Sequence, residues 1–288
     1  MERYYQIAGL CLRIQGEDQE MYTDDGILAE YRTEPGPWDY SIRLECCDEM
    51  PEPTGTLIFQ DPAMQVYREG DRTLTYFGGM EWDLSSVYLA VSREGREGYG
   101  WLRRRDSGGR VYPKMALKAM ELEHLLTRRN ALLFHASFIA VDGKAILFTA
   151  PSGVGKSTQA DLWCRHRNAR LINGDRAGIR WQDGEAWACG LPLAGSSDVR
   201  RNETLPLAAI VCLSQAPRNT LTRLTGVRGF RQIWEGCTVH PWDRTEMEQA
   251  TRTVVQILGH VPVYALACTP DASAVEVLYQ QLIKEKVL

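Results

Sequence analysis

Lysine is scarce in this 288-residue chain. Of its 33 basic residues only six are lysines (Lys114, Lys118, Lys144, Lys156, Lys284 and Lys286), and the other 27 are arginines. A lysine inside a glycine-rich loop is then less readily an accident of composition. Long apolar runs are missing too. The longest, Leu205–Leu213, falls far short of the roughly 20 residues a membrane-spanning helix needs, so no membrane partner is expected. Nor is there a strong charge of either sign: the formal net charge is −4, which excludes a global basic field for nucleic acid. The opening MERYYQIAGL has no basic segment followed by an apolar block and a small-residue cleavage site, so no secretory signal is expected. The eight cysteines form no C-x-x-C, and the five histidines are not spaced with them as zinc ligands would be. They read as small apolar residues of a reducing compartment, which predicts a cytoplasmic protein. What remains is ordinary globular composition, 44% apolar and 24% charged, in a chain long enough for about two domains.

Residues 1–105 read as a β-rich N-terminal domain. Runs at Tyr4–Ile14, Ser41–Cys46, Thr56–Gln60, Ala63–Arg68, Thr73–Phe77, Val87–Ser92 and Tyr99–Arg103 are apolar or alternating. Turn-forming residues separate them, which predicts an antiparallel sheet or sandwich serving as a scaffold or docking domain. Residues 106–130 read as linker and helix. The arginine cluster at Arg103–Gly109 suits a solvated turn, and Pro113 suits the first turn of a helix running on to Arg128, Arg129 and Asn130. His124 would lie partly exposed on that helix.

From residue 131 the texture changes to an α/β pattern. An apolar strand containing His135, an Asp142-Gly143 hairpin turn and the continuous apolar strand AILFTA lead into a glycine-rich loop. A helix at Lys156–Arg167 follows, then a strand ending at Gly174-Asp175. Further on come strands at Gly178–Trp181, Ala186–Cys189, Leu207–Leu213 and Val261–Cys268. Helices are predicted near Phe230–Trp234 and at Thr245–Leu258 and Asp271–Lys284.

The loop Ala150-Pro151-Ser152-Gly153-Val154-Gly155-Lys156-Ser157-Thr158 matches the phosphate-loop (Walker A) pattern, with Ala150 in place of the first glycine. Its glycines let successive backbone N–H groups turn inward toward phosphate oxygens, and the following helix adds the positive end of its dipole. Lys156 would place an ammonium on the β- and γ-phosphates, and Ser157 a hydroxyl on Mg²⁺. Ser152, Gly153, Val154, Gly155 and Thr158 complete the expected nucleotide cradle. A magnesium site also needs a carboxylate. Asp175 follows Lys156 by 19 residues. A helix of about 11 residues carries the chain roughly 16 Å away. About five strand residues bring it back. Asp175 is therefore expected at the carboxyl end of the neighbouring strand, beside the loop, where open α/β sheets bind ligands. The other reading is a turn aspartate. Arg176 could touch phosphate or pair with a carboxylate, and His135 could be a core residue or a site residue if its strand lies next to the loop's strand.

His135-Ala136-Ser137, the Asp142-Gly143 turn, APSGVGKST and the close-following LINGD together resemble the HPr kinase/phosphorylase-like family, whose core is shared with phosphoenolpyruvate carboxykinases. Cys189–Gly195, Leu205–Val211 and Val261–Cys268 look like its stand-alone branch. The resemblance spans about residues 130–288 and implies a P-loop HPr kinase-like nucleotide-binding domain at 131–288. By the same resemblance ATP and Mg²⁺ are cofactors, Gly153, Gly155 and Lys156 bind phosphates, Ser157 and Asp175 bind metal, and His135 and Asp175 are the catalytic residues. One departure stands out: the family's carboxylate pair is Gly174-Asp175 here. GLPLAGSSDVRRNE, with Ser196, Ser197, Arg200, Arg201 and Asn202, would form a loop over the site. An arginine there could meet the γ-phosphate.

Two functions compete. One is a kinase passing the γ-phosphate of ATP to a hydroxyl of a peptide, protein or small molecule. The other is a noncatalytic nucleotide-binding module with an assembly or chaperone role, which the missing carboxylate motivates. Homo-oligomerisation is left open. A carboxykinase-type enzyme ranks last because the chain is short and has no second metal constellation. Transporter-type ATPases and nucleic-acid motors are disfavoured, since their signature motifs are absent.

Overall fold

In a computed structural model covering residues 1–17, 26–78, 83–195 and 197–288, the chain is a mixed α/β protein with two large mixed sheets. Seven α-helices accompany them among these residues. It divides into two compact units, Met1–Leu125 and Leu126–Leu288. Among the described residues no helix is long and apolar enough to cross a membrane.

The first unit is built on one nine-stranded sheet. Its strands are β1 (Glu2–Ile7), β2 (Leu10–Gln15), β3 (Arg32–Thr33), β4 (Tyr40–Cys47), β5 (Thr56–Gln60), β6 (Met64–Glu69), β7 (Arg72–Phe77), β8 (Leu89–Glu94) and β9 (Glu97–Arg103). They lie in the order β3-β1-β2-β4-β9-β8-β7-β6-β5. The expectation of a purely antiparallel sheet fails at β4, which pairs in parallel with both β2 and β9. The run Tyr4–Ile14 is a hairpin rather than one strand, turning at Ala8-Gly9, where both residues have positive φ.

Three helices follow: α1 (Arg104–Ser107), α2 (Pro113–Met120) and α3 (Leu122–Thr127). Three sequence expectations fail here. The arginine cluster is not wholly solvated, because Arg103 is buried and donates from Nε to the Val87 carbonyl at 2.6 Å. The predicted single helix breaks at Glu121, which has φ +47°. Its buried carboxylate accepts from Thr75 Oγ1 at 3.0 Å and from Arg93 at 2.5 Å. Supplying that buried guanidinium with a carboxylate outweighs one helical hydrogen bond. His124, expected to be partly exposed, is buried.

The second unit holds the other sheet. Its strands are β10 (Ala131–His135), β11 (Ser137–Val141), β12 (Lys144–Thr149), β13 (Arg170–Asn173), β14 (Arg176–Gln182), β15 (Glu185–Gly190), β16 (Thr204–Gln215), β17 (Thr220–Leu224), β18 (Cys237–Thr238) and β19 (Val263–Cys268). Its helices are α4 (Lys156–Arg167), α5 (Gly226–Gly236), α6 (Arg244–His260) and α7 (Ala272–Lys284). The main path runs β13-β11-β12-β16-β15-β14-β10-β18, and β19 joins β16 and carries β17. Side-chain alternation along β12 assigns the faces: Ala145 and Leu147 share a core with α5 and α6, and Ile146 and Phe148 share one with α4 and α7.

Two chain segments change partners at the same level of this sheet. The run predicted as one strand through His135 breaks at Ala136, so β10 pairs with β14 while β11 pairs with β12. The chain likewise breaks at Gly174-Asp175 between β13 and β14. The two breaks are stitched together: Ala136 N–H donates to the Asp175 carbonyl at 3.0 Å, and Ser137 Oγ to the Gly174 carbonyl at 2.8 Å. A crevice where strand partners diverge is the usual ligand site of an open sheet.

Candidate functional site

The glycine-rich loop joins β12 to α4. Gly153 and Gly155 have φ of +80° and +124°, a region that side chains avoid, whereas Ala150 has no positive φ. The missing first glycine is therefore no obstacle to the loop's shape. Gly155 is the N-cap of α4, so the helix begins at Lys156 with its free N–H groups facing the loop. Ser152, Gly153, Ser157 and Thr158 are exposed, while Lys156 is only 8% exposed and donates from Nζ to the Ala150 carbonyl at 3.0 Å. Burial holds the Lys156 ammonium below its ordinary proton affinity, opposed by the nearby Asp175 and reinforced by Arg176.

Asp175 is at the same end of the sheet, by a route that differs from the expected one. The hairpin strand β11 lies between β12 and β13, so Asp175 follows the next-but-one strand and not the neighbour. His135 is likewise not on a strand beside β12, since β10 pairs with β14 and β18. The partner exchange at Ala136 nevertheless brings the pieces together. Thr149 Oγ1, at the end of β12, donates to the His135 carbonyl at 2.9 Å. His135 Nε2 lies 3.1 Å from Asp175 Oδ1, and Arg176 Nε lies 3.3 Å from Asp175 Oδ2. Arg176 thus pairs with its neighbouring carboxylate.

Burial pushes the proton affinity of His135 down, Lys156 and Arg176 push the same way, and Asp175 opposes them. A neutral imidazole bonded to a carboxylate through Nε2 must donate from that nitrogen, which leaves the Nδ1 lone pair available. Because the folded protein holds this proton less tightly than the unfolded chain, stability is lost as pH falls through the ordinary value of 6.5. We expect an NMR titration of His135 to have its midpoint below 6.5. Lys156→Met should raise that midpoint and Asp175→Asn should lower it further. A wild-type midpoint at or above the ordinary value would contradict this electrostatic picture.

Sequence reasoning missed Asn173, which organises the carboxylate. It is fully buried. Its Oδ1 accepts from the Asp175 and Arg176 amides, both at 2.9 Å, while Nδ2 donates to the carbonyls of Leu191 and Leu193 at 2.9 and 2.8 Å. The first pair is an Asx-type turn, and its signal was present in Asn-Gly-Asp. The second pair ties down the start of the β15–β16 loop, and only the fold shows it.

That loop does lie over the site, as expected. A Cβ placed on Gly195 would come within 2.8 Å of Asp175 Cβ, so the backbone there lies directly on the carboxylate residue. Ser196 lies outside the described residues. Ser197 lies over Gly174, where an added Cβ would meet its Oγ at 2.1 Å. Ser197 is exposed and its hydroxyl is the end of a rotatable side chain that can swing aside, so Gly174→Asp is expected to cost no more than about 1 kcal/mol. Urea denaturation checks this; a loss above about 3 kcal/mol would show that the loop cannot give way.

Two cavities flank the loop. One of about 480 Å³ is bounded by Gly153–Gly155, the start of α4 and the ends of β16 and β19. One of about 160 Å³ lies toward α5 and is lined by His135, Pro151, Cys212, Gln232 and Glu235, of which Gln232 and Glu235 carried no sequence signal. Burial pushes the Cys212 thiol up to about 12, so it is an inert wall and not a nucleophile.

The second unit is thus a mixed α/β unit with a glycine-rich loop at the N-terminus of a helix and a histidine–carboxylate pair at the same sheet end. No protein-family model matches the chain, and no curated protein matches it. Among solved structures, the Hpr(Ser) kinase/phosphatase from Coxiella burnetii is a distant neighbour. The likeness covers 54% of this chain and 89% of that one, at 13% identity and a TM-score of 0.30. A likeness that loose carries no functional weight, so the functional reading rests on the residues themselves.

Proposed function

We propose that the second unit is a P-loop, HPr kinase-like core that binds ATP with Mg²⁺ and transfers the γ-phosphoryl group to a hydroxyl-bearing acceptor. The observation that supports this best is the convergence of the Gly153–Lys156 loop, with both glycines in left-handed conformations, and the His135–Asp175 pair. In this reading the loop amides and Lys156 hold the triphosphate. Ser157 and Asp175 would hold Mg²⁺, which supplies charge neutralisation on the β- and γ-oxygens. The acceptor hydroxyl enters through the smaller cavity. His135 Nδ1 takes its proton as the new O–P bond forms and the bond from the γ-phosphorus to the β,γ-bridging oxygen breaks, releasing ADP. Asp175 orients and steadies the imidazolium through Nε2. General-base help of this kind is worth roughly 10²–10⁴ in rate.

Incubation of the full chain with γ-labelled ATP and a cell extract tests the reading. Label should move to an acceptor with wild type and be lost with Lys156→Met and His135→Asn; equal labelling by all three would refute it. One observation favours a noncatalytic nucleotide-binding module instead. Gly174 supplies no second carboxylate beside Asp175. Tight nucleotide binding without turnover in any extract would select that reading.

A further inference from the structure

The larger cavity has a definite position relative to the candidate phosphate site. Asp175 follows β13, on the β11 side of the loop strand β12, and His135 lines the smaller cavity, whereas this larger cavity opens on the other side of β12, over the ends of β16 and β19. A triphosphate with its terminal group toward Asp175 therefore leads back over Thr158 into the cavity. Its volume of about 480 Å³ falls within the range of sites for small organic ligands. Val154, Leu213 and Pro270 give it apolar walls suited to the faces of a planar ring.

One wall residue is polar and unsatisfied. Gln159, in the first turn of α4, is 2% exposed. Its Nε2 donates to Cys268 Sγ at 3.4 Å, and its Oε1 has no hydrogen-bond partner. A buried carbonyl oxygen without a donor is costly, and a ligand that supplies one recovers that cost. Adenine offers an exocyclic amine with two N–H groups. Guanine would set its O6 acceptor against an acceptor.

We propose that this cavity is the nucleobase pocket and that Gln159 makes it selective for adenine over guanine. The proposal rests on the phosphate-loop reading and extends it to the base. Calorimetric titration of the full chain in Mg²⁺ with inorganic tripolyphosphate, ATP and GTP tests both separately. ATP should bind several-fold more tightly than GTP, as one neutral hydrogen bond allows, and at least about tenfold more tightly than tripolyphosphate, to which ring burial adds nothing. Gln159→Leu should abolish the ATP preference and leave tripolyphosphate affinity unchanged. Ala216→Phe, on the cavity wall, should weaken both nucleotides but not tripolyphosphate. GTP binding as tightly as ATP, or ATP binding no better than tripolyphosphate, overturns the pocket assignment while the phosphate-loop reading survives. Failure of all three ligands to bind overturns both. The wild-type comparison decides these outcomes even if a variant does not fold.

Discussion

Lys156→Met should weaken binding of Mg²⁺–ATP by on the order of 100-fold or more while leaving the fold intact. An ammonium meeting two phosphate groups makes charge-assisted hydrogen bonds worth about 1.5–3 kcal/mol each, and 1.4 kcal/mol is a tenfold change in affinity. The wild-type ammonium is already largely removed from water and held on the Ala150 carbonyl, so little further desolvation accompanies ligand binding. Methionine retains most of the aliphatic stem. It removes a buried charge compensated in the free protein by that carbonyl and by the nearby Asp175, so the melting temperature should hold or rise. Calorimetry with ATP and a thermal melt check the two halves. Wild-type affinity in the variant would remove the basis of the nucleotide reading, whatever the fold does.

Asn173→Ala should be the most damaging single change near the site, costing about 3–5 kcal/mol of stability. The substitution leaves two amides without an acceptor, those of Asp175 and Arg176, and two carbonyls without a donor, those of Leu191 and Leu193. Each orphaned buried group costs roughly 1–3 kcal/mol, reduced where the loop can open to water. Such opening has its own consequence. The backbone at Gly195 would leave Asp175, and the carboxylate would lose its fixed aim at His135. Asn173→Asp discriminates between the two halves of the role, because it keeps the acceptor for the turn amides and loses both donors to the loop. Urea denaturation measures the stability loss and the His135 titration reports the aim of Asp175. A loss under about 1 kcal/mol with an unmoved His135 midpoint would mean that the network is redundant.

Much of the second unit was legible from residue order. The helix Lys156–Arg167 agrees with its predicted bounds because two signals coincide there, a glycine N-cap after an apolar strand and a left-handed residue, Asn168, at the other end. The Asp142-Gly143 turn was equally plain, since both residues have positive φ, as a tight hairpin requires. In the first unit Thr56–Gln60 was read correctly as a short apolar run bounded by turn residues. By contrast Glu121 interrupted a helix that periodicity called continuous, because its carboxylate serves Thr75 and Arg93, 46 and 28 residues away. Local pattern carries no information about a partner at that distance.

Residue order alone thus determined the loop Ala150–Thr158, its strand and its helix, because the backbone conformations involved are set by glycine, by apolar runs and by capping within a few residues. It also placed Asp175 at the right end of the sheet, since rise per residue fixes how far a helix and a strand travel. Tertiary structure decided which groups meet there. The change of strand partners at Ala136 and at Gly174-Asp175 sets His135 against Asp175. The β15–β16 loop, held by Asn173, brings Ser197 against Gly174. These contacts arise from sheet order and from the satisfaction of buried polar groups. Both are properties of the whole packed unit, and neither has a signature in any short stretch of sequence.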